Sequence, residues 1–225
     1  MSSLLRKAAL GTVSVVTLMG AVVFLSAWTF DYWQAWVFLA VYADCTVLIG
    51  VYLWKNDRAL LERRMNAGPA AESAASQKII MVLASAAFIA LLAVPGLDHR
   101  LHWSKEAPVV AVLGDILLVV GFLATLLVLR ENSFAAGTIQ VAQDQTVIST
   151  GPYAIVRHPL YAGATLLLVG IPLALGSYWG LTVLVCMMPV IIWRLLDEEA
   201  FLAEDLPGYR DYQAKVRWRL MPGLF

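Results

Sequence analysis

The sequence has few charged residues and only two cysteines, and these shortages exclude several classes of protein. Charged side chains make up 14% of its 225 residues, against roughly 25% in ordinary soluble domains. The 16 basic and 16 acidic residues cancel, so no surplus of positive charge is available to bind nucleic acid. Cys45 and Cys186 both lie in apolar runs, which gives neither a disulfide framework nor a metal-ligand spacing. We therefore expect no nucleic-acid partner and no metal.

Apolar residues, in contrast, make up 60% of the chain, and the mean hydropathy is +0.75. A soluble protein of this length could not cover so much apolar surface, which indicates that lipid is the solvent for much of it. Apolar runs lie at about 8–30, 35–54, 79–97, 107–129, 160–176 and 178–196. They predict an all-α polytopic membrane bundle of about six transmembrane helices. The last two would form a C-terminal helical hairpin around the turn 176–180, followed by a polar cytoplasmic tail.

The basic residues predict the orientation of these spans. With the N-terminus inside, the cytoplasmic segments hold Arg6, Lys7, Lys55, Arg58, Arg63, Arg64, Lys78, Arg130, Arg157, Arg194, Arg210, Lys215, Arg217 and Arg219, whereas the outer loops hold Arg100 and Lys105. Such a bias follows the positive-inside rule, so both termini are expected in the cytoplasm. The chain then divides into a four-span membrane region, 1–129, and a C-terminal region, 130–225, made of a cytoplasmic segment, the hairpin and the tail.

The densest polar cluster runs from Ser149 to Gly163 and contains the sequence Arg157-His158-Pro159. Pro159 suits the first turn of a helix and disfavours the helical conformation at His158, so a transmembrane helix is predicted to begin there. Arg157 and His158 would then lie at a helix N-terminus, which attracts anions. Alternatively, the arginine reaches the lipid headgroups and the histidine only caps the helix.

A second polar cluster follows the last span, with Asp197, Glu198 and Glu199 and then Tyr209, Tyr212 and Arg217. Carboxylates at the end of a span are costly unless they are solvated or paired. Glu198 could form an i,i+4 pair with Arg194, or the glutamates could bind the hydroxyls or ammonium of a cationic ligand. Because the hairpin returns both clusters to one membrane face, together they would complement a zwitterion.

Two acidic residues, Asp44 and Asp115, fall inside predicted spans. An ionisable residue within a span is a candidate functional residue by default, although Asp115 could equally be held by a neighbouring helix. Buried charges on several spans would suit a transporter, but most polar groups of this sequence gather at one face.

The ordered set of motifs resembles the isoprenylcysteine carboxyl methyltransferase family, which belongs with the phospholipid methyltransferases. The resemblance covers about residues 130–225. It is carried by Gly151-Pro152-Tyr153, Arg157-His158-Pro159-x-Tyr161-x-Gly163, Glu198-Glu199, Pro207-Gly208-Tyr209, Tyr212 and a tail with Arg217 and Pro222. The Arg-His-Pro-x-Tyr-x-Gly element also occurs in sterol reductases. The glutamate pair and the tail make the methyltransferase resemblance more specific.

The resemblance implies an integral membrane enzyme, of the kind found in a bacterial inner membrane, that uses S-adenosylmethionine on a lipophilic acceptor. The acceptor would come sideways from the bilayer and present a carboxylate, as in isoprenylcysteine, a thiol or an amine. Carried over by position, the cofactor-binding residues would be Tyr153, Arg157, His158, Tyr161, Glu198 and Glu199. Arg217 would be catalytic by lying near the acceptor carboxylate, and Tyr212 would help to bind the acceptor.

Little side-chain chemistry is expected in such a site. A sulfonium methyl is already activated, so transfer depends mostly on positioning and on the exclusion of water. A carboxylate acceptor needs no general base, whereas an amine or thiol would have to lose a proton. The competing hypotheses are a membrane reductase of the sterol-reductase type that uses NADPH, and a small non-enzymatic transporter.

Overall fold

The computed structural model describes residues 3–72, 74–105 and 107–225, and over these residues the chain is helical with no strand. The α-helices are α1 (Ser3–Ala27), α2 (Trp33–Asn56), α3 (Arg58–Met65), α4 (Ala75–Leu101), α5 (Pro108–Glu131), α6 (Pro159–Ala174), α7 (Trp179–Asp205) and α8 (Tyr209–Lys215). A short 3₁₀ turn, Gly151–Ala154, precedes α6. The predicted all-α bundle is confirmed.

Five helices, α1, α2, α4, α5 and α7, are long and apolar enough to cross a membrane. Helix α6 is also apolar but has only 16 residues, which rise about 24 Å against a hydrocarbon layer of roughly 30 Å. The six predicted spans are therefore five long helices and one shorter one. Because α6 is short, one of its ends would lie inside the hydrocarbon layer, where polar groups need partners from the protein.

Two helix pairs approach each other closely because glycine faces the partner backbone. A Cβ built on Gly114 of α5 would lie 2.1 Å from the backbone nitrogen of Ala174 in α6. A Cβ on Gly96 of α4 would lie 2.6 Å from the carbonyl oxygen of Val23 in α1. Any side chain at these two positions would push the helices apart.

The main apolar core lies between α1, α2, α4, α5, α6 and α7, and includes Met19, Phe38, Leu91, Leu118 and Ile171, all almost fully buried. The outer surfaces of the same helices expose large apolar side chains such as Leu18, Ile116 and Val185. Apolar residues on both the inside and the outside of a bundle are expected when lipid surrounds it.

The turn between α6 and α7 fixes the hairpin at the end remote from the polar clusters. Gly176 has a positive φ of 67°, and Ser177 Oγ donates to the carboxylate of Asp98 at 2.5 Å. Ser104 binds the same carboxylate through its backbone nitrogen at 2.6 Å and its hydroxyl at 2.7 Å. The buried Asp98 therefore ties the end of α4 to the hairpin turn.

At the opposite end, residues 132–150 run without helix or strand across the bundle. Helix α3 holds this segment, because Arg63 donates to the carbonyl of Ser133 at 2.5 Å and Arg64 to that of Ala135 at 3.2 Å. Glu72 accepts from the backbone nitrogen of Ile139 at 3.3 Å. The segment thus covers the helix ends near which the two polar clusters lie.

Candidate active site

The two polar clusters of the sequence meet at a single carboxylate, that of Glu199 in α7. Arg157 Nε donates to Glu199 Oε1 at 2.6 Å, and Arg219 Nε donates to Oε2 at 2.8 Å. His158 Nε2 lies 3.2 Å from Oε1. Glu199, Arg157 and His158 are buried, whereas the side chain of Arg219 is 34% exposed, so the cluster is a buried ion pair that a partly exposed arginine closes.

The C-terminal tail is bound to the start of α6 through the backbone. The backbone nitrogens of Arg157 and His158 donate to the carbonyls of Trp218 and Arg219, at 2.8 and 2.9 Å. The guanidinium of Arg157 donates to the carbonyl of Val216 at 2.8 Å. These contacts supply hydrogen-bond partners for the polar groups at the N-terminal end of the short helix α6.

The adjacent Glu198 has a different environment from Glu199. The hydroxyl of Tyr161, one turn inside α6, donates to Glu198 Oε2 at 2.6 Å. Glu198 lines the main cavity of the protein, whereas Glu199 lies behind its wall. The two glutamates, which the sequence analysis treated as a pair, therefore differ in role. Glu198 faces the cavity, and Glu199 binds the arginines behind its wall.

The cavity has a volume of about 730 Å³, within the usual range for small-molecule sites. Its polar chamber is the part lined mainly by Asn132, Tyr153, Arg157, His158, Tyr161, Arg194, Glu198, Tyr209 and Tyr212. Its apolar arm is the part lined by Ala8, Gly11, Thr12 and Val15 of α1, Tyr42, Thr46, Ile49, Gly50 and Leu53 of α2, and Phe122, Thr125 and Leu129 of α5. From Tyr42 to Leu53 the arm follows α2 for a rise of about 16 Å, which gives an elongated space within the span.

Three tyrosines of the polar chamber are neutral, and two of them are hydrogen-bonded. Burial raises the pKa of Tyr153 to about 12, and burial also raises the pKa values of Tyr209 and Tyr212. Tyr212 donates its hydroxyl to the carbonyl of Tyr153 at 2.8 Å, and Tyr153 accepts from the amide of Asn132 at 2.9 Å. The buried hydroxyl of Tyr209, in contrast, has no hydrogen-bond partner among the described residues.

The sequence analysis raised two purely structural roles, an ion pair between Arg194 and Glu198 and a helix cap at His158. Neither is present over the residues that the structure describes. Arg194 forms its ion pair with Glu72, at 2.7 Å, and also donates to Gln77 at 2.7 Å; over the described residues it has no ion pair with Glu198. His158 occupies the N-cap of α6 but its side chain makes no capping hydrogen bond. Its ring instead contacts Glu199.

Most of the residues singled out in the sequence gather around the cavity. Its wall includes Tyr153, Arg157, His158, Tyr161, Glu198 and Tyr212. Arg217 does not belong to this wall; its side chain is exposed, and its backbone carbonyl accepts from Arg157 at 3.0 Å. Asp44 and Asp115 also lie outside the cavity lining. Among residues 3–72, 74–105 and 107–225, no group of three or more His, Cys, Asp or Glu side chains could hold a metal ion.

Three residues that contribute to the site were missed by sequence reasoning. Arg219 was counted only as a tail charge, two positions from Arg217, although it binds Glu199. Tyr209 was quoted as part of a motif without a role, and Arg64 was counted only among the loop charges. An Arg-x-Arg pattern in the tail was a signal for the first, but nothing local to α3 indicated that Arg64 faces a cavity.

Part of the chain that contains the site matches a known protein family. Residues 109–207 match the family model of the phospholipid methyltransferases, a region that runs from the start of α5 to just beyond the end of α7. A search of curated proteins finds no match to the chain. The matched region contains six of the predicted site residues, Tyr153, Arg157, His158, Tyr161, Glu198 and Glu199. The resemblance noted in the sequence is confirmed over residues 109–207, which are less than half of the chain and match the phospholipid methyltransferase family model.

Proposed function

We propose that this protein is an integral membrane methyltransferase that transfers a methyl group from S-adenosylmethionine to a lipophilic acceptor. One observation carries the proposal: a polar chamber walled largely by the matched methyltransferase domain continues into an apolar arm between α1, α2 and α5. Such a cavity can hold a polar cofactor and an apolar chain side by side. The division of the chain at residues 129 and 130 is part of the proposal, since the cofactor would be bound mainly by the second region.

The residues of the polar chamber fit S-adenosylmethionine. Glu198 offers a carboxylate to an ammonium or to ribose hydroxyls, and the hydroxyl of Tyr209 is buried and unpartnered among the described residues. A buried hydroxyl without a partner is unfavourable, so a ligand that supplies a hydrogen bond there would be stabilised. When bound, the cofactor supplies an activated methyl group. The protein then needs mainly to orient the two reactants and to exclude water.

Glu199 acts in this proposal through its neighbours. By neutralising Arg157 and Arg219 it holds the tail against the start of α6, which fixes Tyr161 and His158 beside the cavity. Glu198 and Tyr161 contact the cofactor, and Glu199 positions the groups that do so. The acceptor lies in the apolar arm. Of the two residues that the family resemblance assigns to it, Tyr212 lines the cavity, whereas Arg217 lies outside the cavity wall.

The proposal includes an orientation: the charge bias of the loops supports a chamber at the cytoplasmic side of the membrane. A cysteine introduced at Asn66, after α3, should be protected from a membrane-impermeant thiol reagent in intact cells, and one at His102 should be labelled. Labelling at residue 66 from outside would reverse the orientation. The double variant Cys45→Ala, Cys186→Ala supplies the background for both.

The proposal is tested by calorimetric binding of S-adenosylhomocysteine to the protein in lipid nanodiscs. Glu198→Gln should weaken binding by about 1.5–3 kcal/mol, since a charge-assisted hydrogen bond is lost. Glu204→Gln, at an exposed position of the same helix, is the matched control and should bind as the unchanged protein does. Binding of NADPH without binding of S-adenosylhomocysteine would replace the methyltransferase with the reductase, and binding of neither would favour a transporter.

A further inference from the structure

One wall of the cavity is formed by residues 132–150, here called the cover, which contain neither helix nor strand. Phe134, Ile139, Gln140 and Thr146 of the cover all line the cavity. A segment that lacks the repeated backbone hydrogen bonds of a helix or sheet opens at a lower free-energy cost than the elements around it. The contacts that hold the cover closed therefore determine how readily the cavity exchanges a ligand with water.

The two ends of the cover are fixed to the helices. At its start, Arg63 and Arg64 of α3 donate to backbone carbonyls of the cover. Near its end, Val147 packs against the apolar cluster that contains Tyr209 and Tyr212. Any opening is therefore confined to the middle of the cover.

The middle of the cover is bound to a single ion pair. Glu72 accepts from the backbone nitrogen of Ile139 at 3.3 Å, and Arg194 donates to the carbonyl of Gly137 at 3.4 Å. Over the described residues, 137–141 make no other hydrogen bond to the rest of the protein. Glu72 and Arg194 are themselves 2.7 Å apart, with side chains 1% and 14% exposed. We call this ion pair the latch.

The latch also joins the two regions of the chain. Among the described residues, the other ion pairs all share Glu199 and lie within the later region. The latch instead connects Glu72, which precedes α4, to Arg194 of α7, and Arg194 lines the cavity one turn before Glu198. Removing one partner of a buried ion pair leaves the other charge uncompensated, so the latch cannot be weakened without affecting the cover and the cavity wall together.

We propose that the cover is a gate through which the polar chamber exchanges its cofactor with water, and that the latch sets how often the gate opens. This inference rests on the proposed function, because the ligand exchanged is the cofactor. It assigns control of the exchange to Glu72, which lies outside the matched residues 109–207 and does not line the cavity. Glu72 takes no part in binding the cofactor or in moving the methyl group.

The first test measures the association and dissociation rates of tritiated S-adenosylhomocysteine with the protein in phosphatidylcholine nanodiscs. Glu72→Gln removes the charge of the latch, so the gate should open more often. Because a gate that is mostly closed limits entry and release alike, both rates should rise at least about tenfold while the equilibrium affinity changes by less than about threefold. A residue that only shaped the chamber would change the affinity, mainly through the dissociation rate.

The matched control is Glu62→Gln, at an exposed position of α3 that does not line the main cavity. It should leave both rates as they are in the unchanged protein. Equal rates in the two variants, or a rise in the dissociation rate alone in Glu72→Gln, would overturn the inference.

A cross-link provides a second test that does not disturb the latch. A Cβ built on Gly137 would lie 2.8 Å from the Cβ of Ala67, so a small outward shift of the cover gives the spacing of roughly 3.5–4.5 Å that a disulfide needs. The variant Ala67→Cys, Gly137→Cys is made in the background Cys45→Ala, Cys186→Ala. After oxidation it should release bound S-adenosylhomocysteine at least about tenfold more slowly than the same protein after reduction, since the gate is then locked.

This comparison decides the matter if Glu72→Gln does not fold. Equal release by the oxidised and reduced forms would overturn the inference. Failure of the disulfide to form under oxidation would contradict the closed position of the cover, and would overturn it too.

A third measurement, made without cofactor, separates the gate from the proposed function. Thr138 lines the cavity and is 9% exposed. In the same cysteine-free background, Thr138→Cys should react with a maleimide at least about tenfold faster when Glu72→Gln is also present. Equal labelling rates would overturn the gate. Failure of the unchanged protein to bind S-adenosylhomocysteine would instead refute the proposed function, and the labelling would still report on the gate.

Discussion

The region before α5 and the region from α5 onward form the two sides of one cavity by different physical means. The later region presents the polar side chains of the chamber, and behind this wall Glu199 is held between Arg157 and Arg219. The earlier region presents mostly apolar side chains and open space beside Gly11 and Gly50. A cofactor rich in polar groups suits the first wall, and a lipid chain suits the second. The ligand that fits the first wall is therefore determined by charge and hydrogen bonding, and the ligand that fits the second by the volume available.

The family match follows the same division. It covers residues 109–207 and leaves α1 to α4 outside. A polar ligand common to a family requires particular donors and acceptors, whereas an apolar chain can be held by many combinations of side chains of suitable size. We therefore expect substitutions in the two regions to differ in kind as well as in size.

The largest effect should come from Glu199→Gln. The change leaves the buried Arg157 without its counter-charge and removes the partner of the partly exposed Arg219, so the free energy of unfolding should fall by about 3–5 kcal/mol. Denaturation in mixed micelles measures it, with Glu204→Gln as the exposed control on the same helix. A loss no greater than that of the control would mean that the cluster at Glu199 does not hold the later region together.

A smaller effect, confined to transfer, should follow from Gly50→Leu. The leucine would fill the apolar arm, since no atom lies within 4 Å of a Cβ at this position. Displacing the acceptor from its reactive position should reduce transfer on the order of 100-fold, with unchanged affinity for S-adenosylhomocysteine. The control is Val47→Leu, at a position on α2 that is 48% exposed and outside the cavity. Equal transfer by both variants would show that the acceptor does not use the arm.

Gly114→Ala tests the close packing of α5 against α6, in contrast to the open space of the apolar arm. Its Cβ would lie 2.1 Å from the nitrogen of Ala174, so the helices must shift and the free energy of unfolding should fall by about 1–3 kcal/mol. Gly11→Ala, which adds the same methyl group to open space in α1, is the matched control. Similar losses from the two substitutions would contradict the proposed difference in packing.

The smallest effect is expected for Tyr209→Phe. Because the hydroxyl has no partner among the described residues, its removal should not lower the free energy of unfolding. It should weaken binding of S-adenosylhomocysteine by about 0.5–1.5 kcal/mol, the value of one hydrogen bond. Tyr178→Phe, on the exposed hairpin turn, serves as control. An unchanged affinity would remove Tyr209 from the cofactor site.

Much of this fold follows from the sequence because its determinants are local. The start of α6 was expected at Pro159 and lies there, since the restriction that proline imposes acts on its own neighbourhood. The turn between α6 and α7 was expected at 176–180 and lies between Ala174 and Trp179, where Gly176 adopts a positive φ; Gly180 already belongs to α7. These two local features suffice to bring the polar clusters to one face.

The division of roles within the site could not be predicted in the same way. Glu198 and Glu199 are adjacent, and which of them faces the cavity depends on the rotation of α7 against α6. Arg219 contacts Glu199 while Arg217 is exposed, but the tail there is irregular and has no periodicity from which to assign a side. Arg64 lines the cavity from α3, which packs against the end of α2 through Leu61 and Leu53, and this tertiary contact has no local signature.

The most direct test of the division between the two walls is a cross-linking map of the protein in nanodiscs. Ultraviolet cross-linking of S-adenosylmethionine, and of an isoprenoid acid that carries a diazirine on its chain, is followed by mass spectrometry of the peptides. The account predicts cofactor adducts within 130–215, including the Tyr153–Tyr161 and Glu198–Tyr212 segments, and chain adducts on α1 and α2 between residues 8 and 53. Cofactor adducts confined to α1–α4, or chain adducts confined to the region after residue 130, would contradict it.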